Sequence, residues 1–295
     1  MNVILEIPVR RPATVFETDT MSATYDPETC TIWHTMHIQP RPCFTSAFMR
    51  DAVELHGHIR RRVWQVDFYV LRSDAHRVFN LGGDLNLIRD CSLREDWAGV
   101  ARYARLCVDT LHGTLSGFGQ QVISIAEING DALGGGFEAA LTFDFMIAER
   151  GAKLGFPEVL FNLFPGMGAY SLLARKLGPQ VAQRMILSGE TYQPEALLAQ
   201  GLLDEVVEPG KSHEAVENFI RRTRKRLNGY KGFLEARRRT PLWPTREELL
   251  QVVDHWAECV KQVSERDLRL IDRLVSAQNR LSPVALEKKP AAVFV

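Results

Sequence analysis

At 295 residues the chain carries 36 Lys plus Arg against 36 Asp plus Glu, a formal net charge of zero, which excludes a global electrostatic pull toward nucleic acid or an anionic membrane. With 45% apolar and 24% charged residues it is expected to be a soluble globular protein, one large domain or a domain with a helical appendage, with disorder confined to its ends. The five cysteines, Cys30, Cys43, Cys91, Cys107 and Cys259, are scattered, odd in number and without CxxC spacing, which argues against a disulfide framework and a zinc site and suits a reducing compartment.

The N-terminus lacks the basic start, apolar run and small-residue cleavage site of a secretory signal. No segment approaches the roughly 18 uninterrupted apolar residues of a spanning helix, so a cytoplasmic location is expected. Residues 1 to about 24 show little periodicity and read as an irregular arm. "TCTIWHTMHI", 29–38, is the first strong strand, rich in β-branched and aromatic residues. Pro40 and Pro42 then delay a helix that Thr45 is placed to cap, with Phe48, Ala52, Leu55 and Ile59 as its apolar stripe.

"VDFYVLRS" is predicted as a strand and "HRVFNLGGDLNLIRD" as a loop entering a short helix. From Asp96 to Thr114 the stripe Trp97, Val100, Ala104, Cys107, Val108 and Leu111 marks a long amphipathic helix. "QVISIAEI" is almost wholly apolar, as in a strand buried in a parallel sheet, and a glycine cluster follows it. "FDFMIAER" is a further strand, and helices are predicted near 169–177, 180–188 and 194–200. Alternating strands and helices indicate an α/β fold. After "LLDEVVEPG" only helical patterns remain. The expected division is a core over 1–212 and a helical C-terminal region over 213–295, with a loose tail "EKKPAAVFV".

"INGDALGGGFEAALTFDF", 128–145, places Gly134, Gly135 and Gly136 where a strand turns into a helix. Such a turn presents unpaired N–H groups and the positive end of the helix dipole to a ligand. A phosphate is disfavoured because Glu138 comes just after the glycines and Phe137, and because neither GxxxxGK[ST] nor GxGxxG is present in this stretch. A plain tight junction between strand and helix is the alternative. A second glycine turn, "FNLGGDL" at 79–85, allows two N–H donors to converge on a carbonyl oxygen, and Glu138 and Glu158 are available as acid and base.

The ordered set "AEINGDALGGGFEAALTFDFMIAERGAKLGFPEVLFNLFPGMG", with Glu138 and Glu158 twenty residues apart, resembles the enoyl-CoA hydratase/isomerase (crotonase) superfamily over roughly 29–212. "RPCFTSAFM", "VFNLGGDLNLI" and the N-terminal arm are most similar to its branch of diffusible signal factor synthases, which make cis-2-unsaturated fatty acid signals. "LGGDL" and "GMGAYSLL" depart from the "AGADI" and "GAGGTQRL" patterns of ordinary hydratases.

The resemblance implies a spiral of ββα units whose C-terminal helices cover the active site, assembled as a trimer or dimer of trimers. It places an oxyanion hole at Leu81 and Gly135, an acidic pair at Glu138 and Glu158, and substrate contacts at Gly82, Gly134, Met167, Trp256 and Leu274. It implies no cofactor. The substrate would be a 3-hydroxyacyl group on acyl carrier protein, dehydrated and then released by thioester hydrolysis. A signalling receptor or sensor-kinase domain is the implied regulatory partner.

The basic runs "RRTRKR", 221–226, and "RRR", 237–239, are candidate docking patches for an acidic carrier, with a solvated helix face as the plainer reading of each. His34 and His37, three apart on a strand, point to opposite faces, and with His56 and His58 they read as structural or surface residues and not as metal ligands. Ser171 and Ser188 lack a GxSxG setting. An enoyl-CoA hydratase and a non-catalytic regulatory protein are the alternatives to a signal synthase.

Overall fold

The structure, a computed structural model, describes residues 3–4, 11–37, 41–75 and 77–280. Pro40, the end of the strand expected over 29–38, and the tail 287–295 lie outside the described residues. In chain order the strands are β1 (Val3–Ile4), β2 (Ala13–Glu17), β3 (Met21–Asp26), β4 (Thr31–Met36), β5 (Phe68–Ser73), β6 (Arg77–Asn80), β7 (Ile123–Ile128), β8 (Gly130–Leu133), β9 (Phe145–Glu149), β10 (Leu154–Gly155), β11 (Thr191–Tyr192) and β12 (Glu205–Val207). The helices are α1 (Ser46–Arg60), α2 (Leu85–Leu93), α3 (Trp97–Leu115), α4 (Gly135–Leu141), α5 (Ala169–Leu177), α6 (Pro179–Ser188), α7 (Pro194–Ala199), α8 (Ser212–Arg224), α9 (Leu227–Arg238), α10 (Arg246–Val260) and α11 (Glu265–Arg280).

The larger sheet has the order β1-β2-β3-β4-β5-β7-β9-β12. It begins as an antiparallel meander and is parallel from β4 onward. β7 reads as one apolar run because helices cover both its faces, and all six of its residues are buried. A smaller sheet has the order β11-β10-β8-β6, with β6, β8 and β10 parallel. The α/β class read from the alternation holds.

Local signals explain the helices. Thr45 caps α1, its side chain accepting the Phe48 N–H at 3.2 Å, an interaction whose loss typically costs about 1 kcal/mol. The stripe Phe48, Ala52, Leu55 and Ile59 is buried throughout. Asp84 and Asp96 cap α2 and α3 in the same way, through the N–H groups of Leu87 and Gly99.

Three expectations need correction. The arm over 1–24 contains β2 and β3, tied by a turn in which Thr18 N–H donates to Met21 O at 2.9 Å. The segment read as a loop before "LGGDL" starts with β6, and β8 intervenes between the buried strand and the glycines. The run 237–239 is not a free basic patch, because Arg237 and Arg238 reach inward to Asp144 at 2.5 and 2.6 Å. That carboxylate, whose side chain is 1% exposed, also accepts the N–H and hydroxyl of Ser124.

From Ser212 onward every described element is helical. α8 lays Val216, Phe219 and Ile220 on Phe68, Val70 and Ile125 of the large sheet, forming a second apolar cluster. α10 packs along α3 on the other side of the core. Among the described residues no helix is long and apolar enough to cross a membrane.

Candidate active site

Three adjacent parallel strands of the small sheet end at one place. β6 runs into Leu81, Gly82 and Gly83, β8 into Gly134 and Gly135, and β10 into the short 3₁₀ turn Pro157–Phe161 that carries Glu158. The C-terminal edge of parallel strands is where α/β sheets characteristically gather their ligand-binding groups.

The glycines have separable duties. Gly134 adopts φ 52° and ψ −127°, a conformation essentially closed to residues with a side chain, and a Cβ there would collide with the Glu158 carboxyl. Gly136 lies against the Asn80 carbonyl, so α4 can sit directly on the end of β6. Between them, Gly135 opens α4 and its N–H has no intrahelical partner.

The first turn corrects one sequence expectation. Leu81, assigned as a donor, gives its N–H to Pro42 O at 2.7 Å, and Gly82 gives its N–H to Asn80 Oδ1 at 2.8 Å. Asp84 N–H is taken by Tyr103 Oη, also at 2.8 Å. The free N–H of this turn belongs to Gly83, whose nitrogen would lie 3.3 Å from a Cβ built on Gly135. Among the described residues neither Gly83 N–H nor Gly135 N–H has an acceptor, so two unpaired donors face one space.

Glu138, on the first turn of α4, is 1% exposed. Its Oε1 accepts the N–H groups of Met167 at 2.8 Å and Ala169 at 3.0 Å, where α5 begins. Burial pushes this carboxyl up to about 7, and the backbone donors limit the rise. Glu158 has weaker support: its own backbone N–H favours the charged form, but its buried Oε2 lacks any partner. Burial first, and the charge of Glu138 second, raise its pKa well above the ordinary value. Both carboxyls are therefore held toward the protonated form, Glu158 the more strongly because only Glu138 has the Met167 and Ala169 N–H groups to steady its charge.

A cavity of about 250 Å³ joins these groups. Leu81, Gly82, Gly134, Gly135, Glu138, Glu158, Met167, Trp256 and Leu274, distant in sequence, all line it. Trp256, from α10, packs over Gly166 and so fixes the loop that delivers the Met167 N–H to Glu138. A larger groove of about 1610 Å³, between the ends of α1 and α3 and the α9–α10 junction, has a mixed polar and apolar lining and contains none of these residues.

Sequence reading missed Gly83 and Tyr103. Tyr103 sits on the buried face of α3 between Val100 and Cys107, and its Oη donates to Phe44 O at 2.6 Å while accepting the Asp84 N–H. It thereby clamps both chains flanking the Gly83 donor. Tyr103→Phe leaves that carbonyl and N–H unpaired, with an expected loss of about 1–3 kcal/mol of stability. Turnover is expected to drop about tenfold to a hundredfold as the donor shifts, with KM changing less. Calorimetry and steady-state kinetics check the two effects separately.

His34 and His37 do part to opposite faces: His37 pairs with Asp74 at 2.8 Å, whereas His34 is buried. His34 Nδ1 lies 2.5 Å and His56 Nε2 3.2 Å from the hydroxyl of Tyr69, a buried polar group behind α1 and apart from the cavity.

The enoyl-CoA hydratase/isomerase family pattern matches residues 60–239. The fatty acid oxidation complex subunit alpha of Colwellia psychrerythraea is 41% identical over 101 residues, which are 34% of this chain and 14% of that one. A probable enoyl-CoA hydratase of Mycobacterium bovis, EchA17, is 30% identical over 186 residues, 62% of this chain and 67% of its own length. The solved structure of DspI from Pseudomonas aeruginosa aligns with a TM-score of 0.67 at 25% identity, covering 89% of this chain and 96% of that chain. Since the matched span includes both glycine turns and both buried glutamates, and the fold agrees, the chain belongs to the enoyl-CoA hydratase/isomerase family.

Proposed function

We propose that the protein makes a diffusible cis-2-unsaturated fatty acid signal by dehydrating a 3-hydroxyacyl group on acyl carrier protein and hydrolysing the thioester in the same site. The observation that carries this reading is the convergence of two unpaired N–H donors and two buried carboxyls, unequally supplied with hydrogen-bond donors, on an apolar cavity walled by α10 and α11. The resemblance of "RPCFTSAFM", "VFNLGGDLNLI" and the N-terminal arm to the signal-synthase branch supports it, as do the departures of "LGGDL" and "GMGAYSLL" from ordinary hydratases.

The N–H groups of Gly83 and Gly135 hold the thioester oxygen, each worth about 3–4 kcal/mol as negative charge develops there. Ionised Glu138 takes a proton from C2, and protonated Glu158 delivers one to the departing C3 hydroxyl. Met167, Trp256 and Leu274 receive the acyl tail. The run 221–226, whose five cationic side chains are all exposed at the end of α8, is the remaining candidate surface for an acidic carrier. A homotrimer or dimer of trimers, and a receptor or sensor-kinase domain as regulatory partner, belong to the same reading.

Hydration of a trans-2-enoyl-CoA is the second reading, favoured by the similarity to EchA17 and served by the same proton arrangement. Mass spectrometry of products from 3-hydroxydodecanoyl acyl carrier protein and, separately, from trans-2-enoyl-CoA separates the two. Free cis-2-dodecenoic acid from the carrier substrate is the expected result; a hydrated CoA thioester alone overturns the synthase reading.

A further inference from the structure

We propose that the water expelled from C3 is itself the nucleophile of the second step, so that the C3 hydroxyl oxygen ends in the carboxylate of the product. This rests on the reading of the site as a coupled dehydratase and thioesterase.

In the proposed mechanism Glu138, its Oε1 held by the Met167 and Ala169 N–H groups, begins as the carboxylate, and Glu158, whose Oε2 has no donor, begins with the proton. In dehydration the C2–H bond breaks and its proton passes to Glu138. The freed electron pair forms the C2–C3 double bond as the C3–O bond breaks, and the departing hydroxyl takes the Glu158 proton to become water. The roles are then reversed: Glu138 is the acid, Glu158 the carboxylate, and a water lies beside Glu158.

That state is under electrostatic pressure. Glu158 Oε2 is buried with no hydrogen-bond partner, so its charge is poorly solvated. The burial that kept Glu158 protonated makes its carboxylate a strong base toward the nearest proton source, which is the water just formed. C1 and C3 are separated by a single carbon, so this water is already next to the thioester carbon. Bulk water has to enter a cavity of about 250 Å³ occupied by the acyl chain and walled by side chains such as Leu133, Phe161, Leu163 and Trp256.

In the second step Glu158 takes a proton from the water as its oxygen bonds to C1. The carbonyl electron pair moves onto the oxygen held by the Gly83 and Gly135 N–H groups. Collapse of this intermediate breaks the C1–S bond, and the carrier thiolate leaves with the proton stored on Glu138. Glu138 is again the carboxylate and Glu158 again the acid. The overall change converts 3-hydroxyacyl carrier into cis-2-enoic acid and carrier thiol, with no net consumption of water.

The test is a single turnover of 3-hydroxydodecanoyl acyl carrier protein labelled with oxygen-18 in its C3 hydroxyl, run in ordinary water with the full-length protein. Expected is free cis-2-dodecenoic acid carrying the label in its carboxylate; the mirror experiment, unlabelled substrate in oxygen-18 water, is expected to give unlabelled acid. Unlabelled acid from the labelled substrate overturns water retention while leaving the coupled dehydratase and thioesterase reading intact. Failure to release any free acid overturns both.

Discussion

Glu138→Gln is expected to lower turnover about 100- to 10,000-fold, the usual contribution of a positioned acid or base, with a smaller effect on KM. The fold is expected to survive, because the glutamine oxygen can still accept the Met167 and Ala169 N–H groups. The pH dependence identifies the role. In the proposed mechanism Glu138 must be ionised to remove the C2 proton, and burial raises its pKa to about 7. Activity of the native protein is therefore expected to rise with pH up to about 7 and to fall about tenfold per unit below it. Residual activity of Glu138→Gln is expected to lack that acid limb, whereas Glu158→Gln should lose turnover but keep it. A limb that persists in Glu138→Gln removes this residue as the base.

Asp144→Ala is expected to be the most destabilising single change outside the cavity, by about 3–5 kcal/mol, because it strands two inward-pointing guanidinium groups and the Ser124 N–H. For a chain of this size that corresponds to a drop in Tm of about 5–8 °C, readable by calorimetry. Converting Arg238 to Met as well is expected to restore part of the loss, since an apolar side chain needs no counter-ion. A variant with native Tm but weaker carrier binding would return 237–239 to the surface role first read from its charge.

The long helices were legible because their periodicity and caps agree: Thr45 before Phe48, and Asp96 before the stripe of α3. The early strands were harder to read. β3 alternates buried and partly exposed residues, but its link to β2 uses the hydroxyls of Thr18 and Thr20 and no Gly or Pro, so the usual turn signal is missing. β8, "GDAL", is four residues long and begins with Gly and Asp, which have low strand propensity.

All nine expected site positions line one cavity, and the error lay in the choice of donor. Which N–H of "LGGDL" stays free depends on pairing with Pro42, 39 residues upstream, and on the Tyr103 hydroxyl. Such long-range competition for backbone partners leaves no local trace. The inward turn of Arg237 and Arg238 is similar, since their partner Asp144 lies on another part of the chain.

The reacting groups follow three neighbouring strand ends of the small sheet, while Trp256 and Leu274 come from helices that reach the cavity from outside it. Selection can therefore act on the two parts at different rates. Residues of α10 and α11 can drift or be randomised to accept longer, shorter or branched chains while the strand ends stay fixed. Trp256 is the exception, because it rests on the loop that anchors Glu138. A lineage that diversifies its substrates through this scaffold would change Leu274 and its neighbours freely and keep an aromatic anchor at 256.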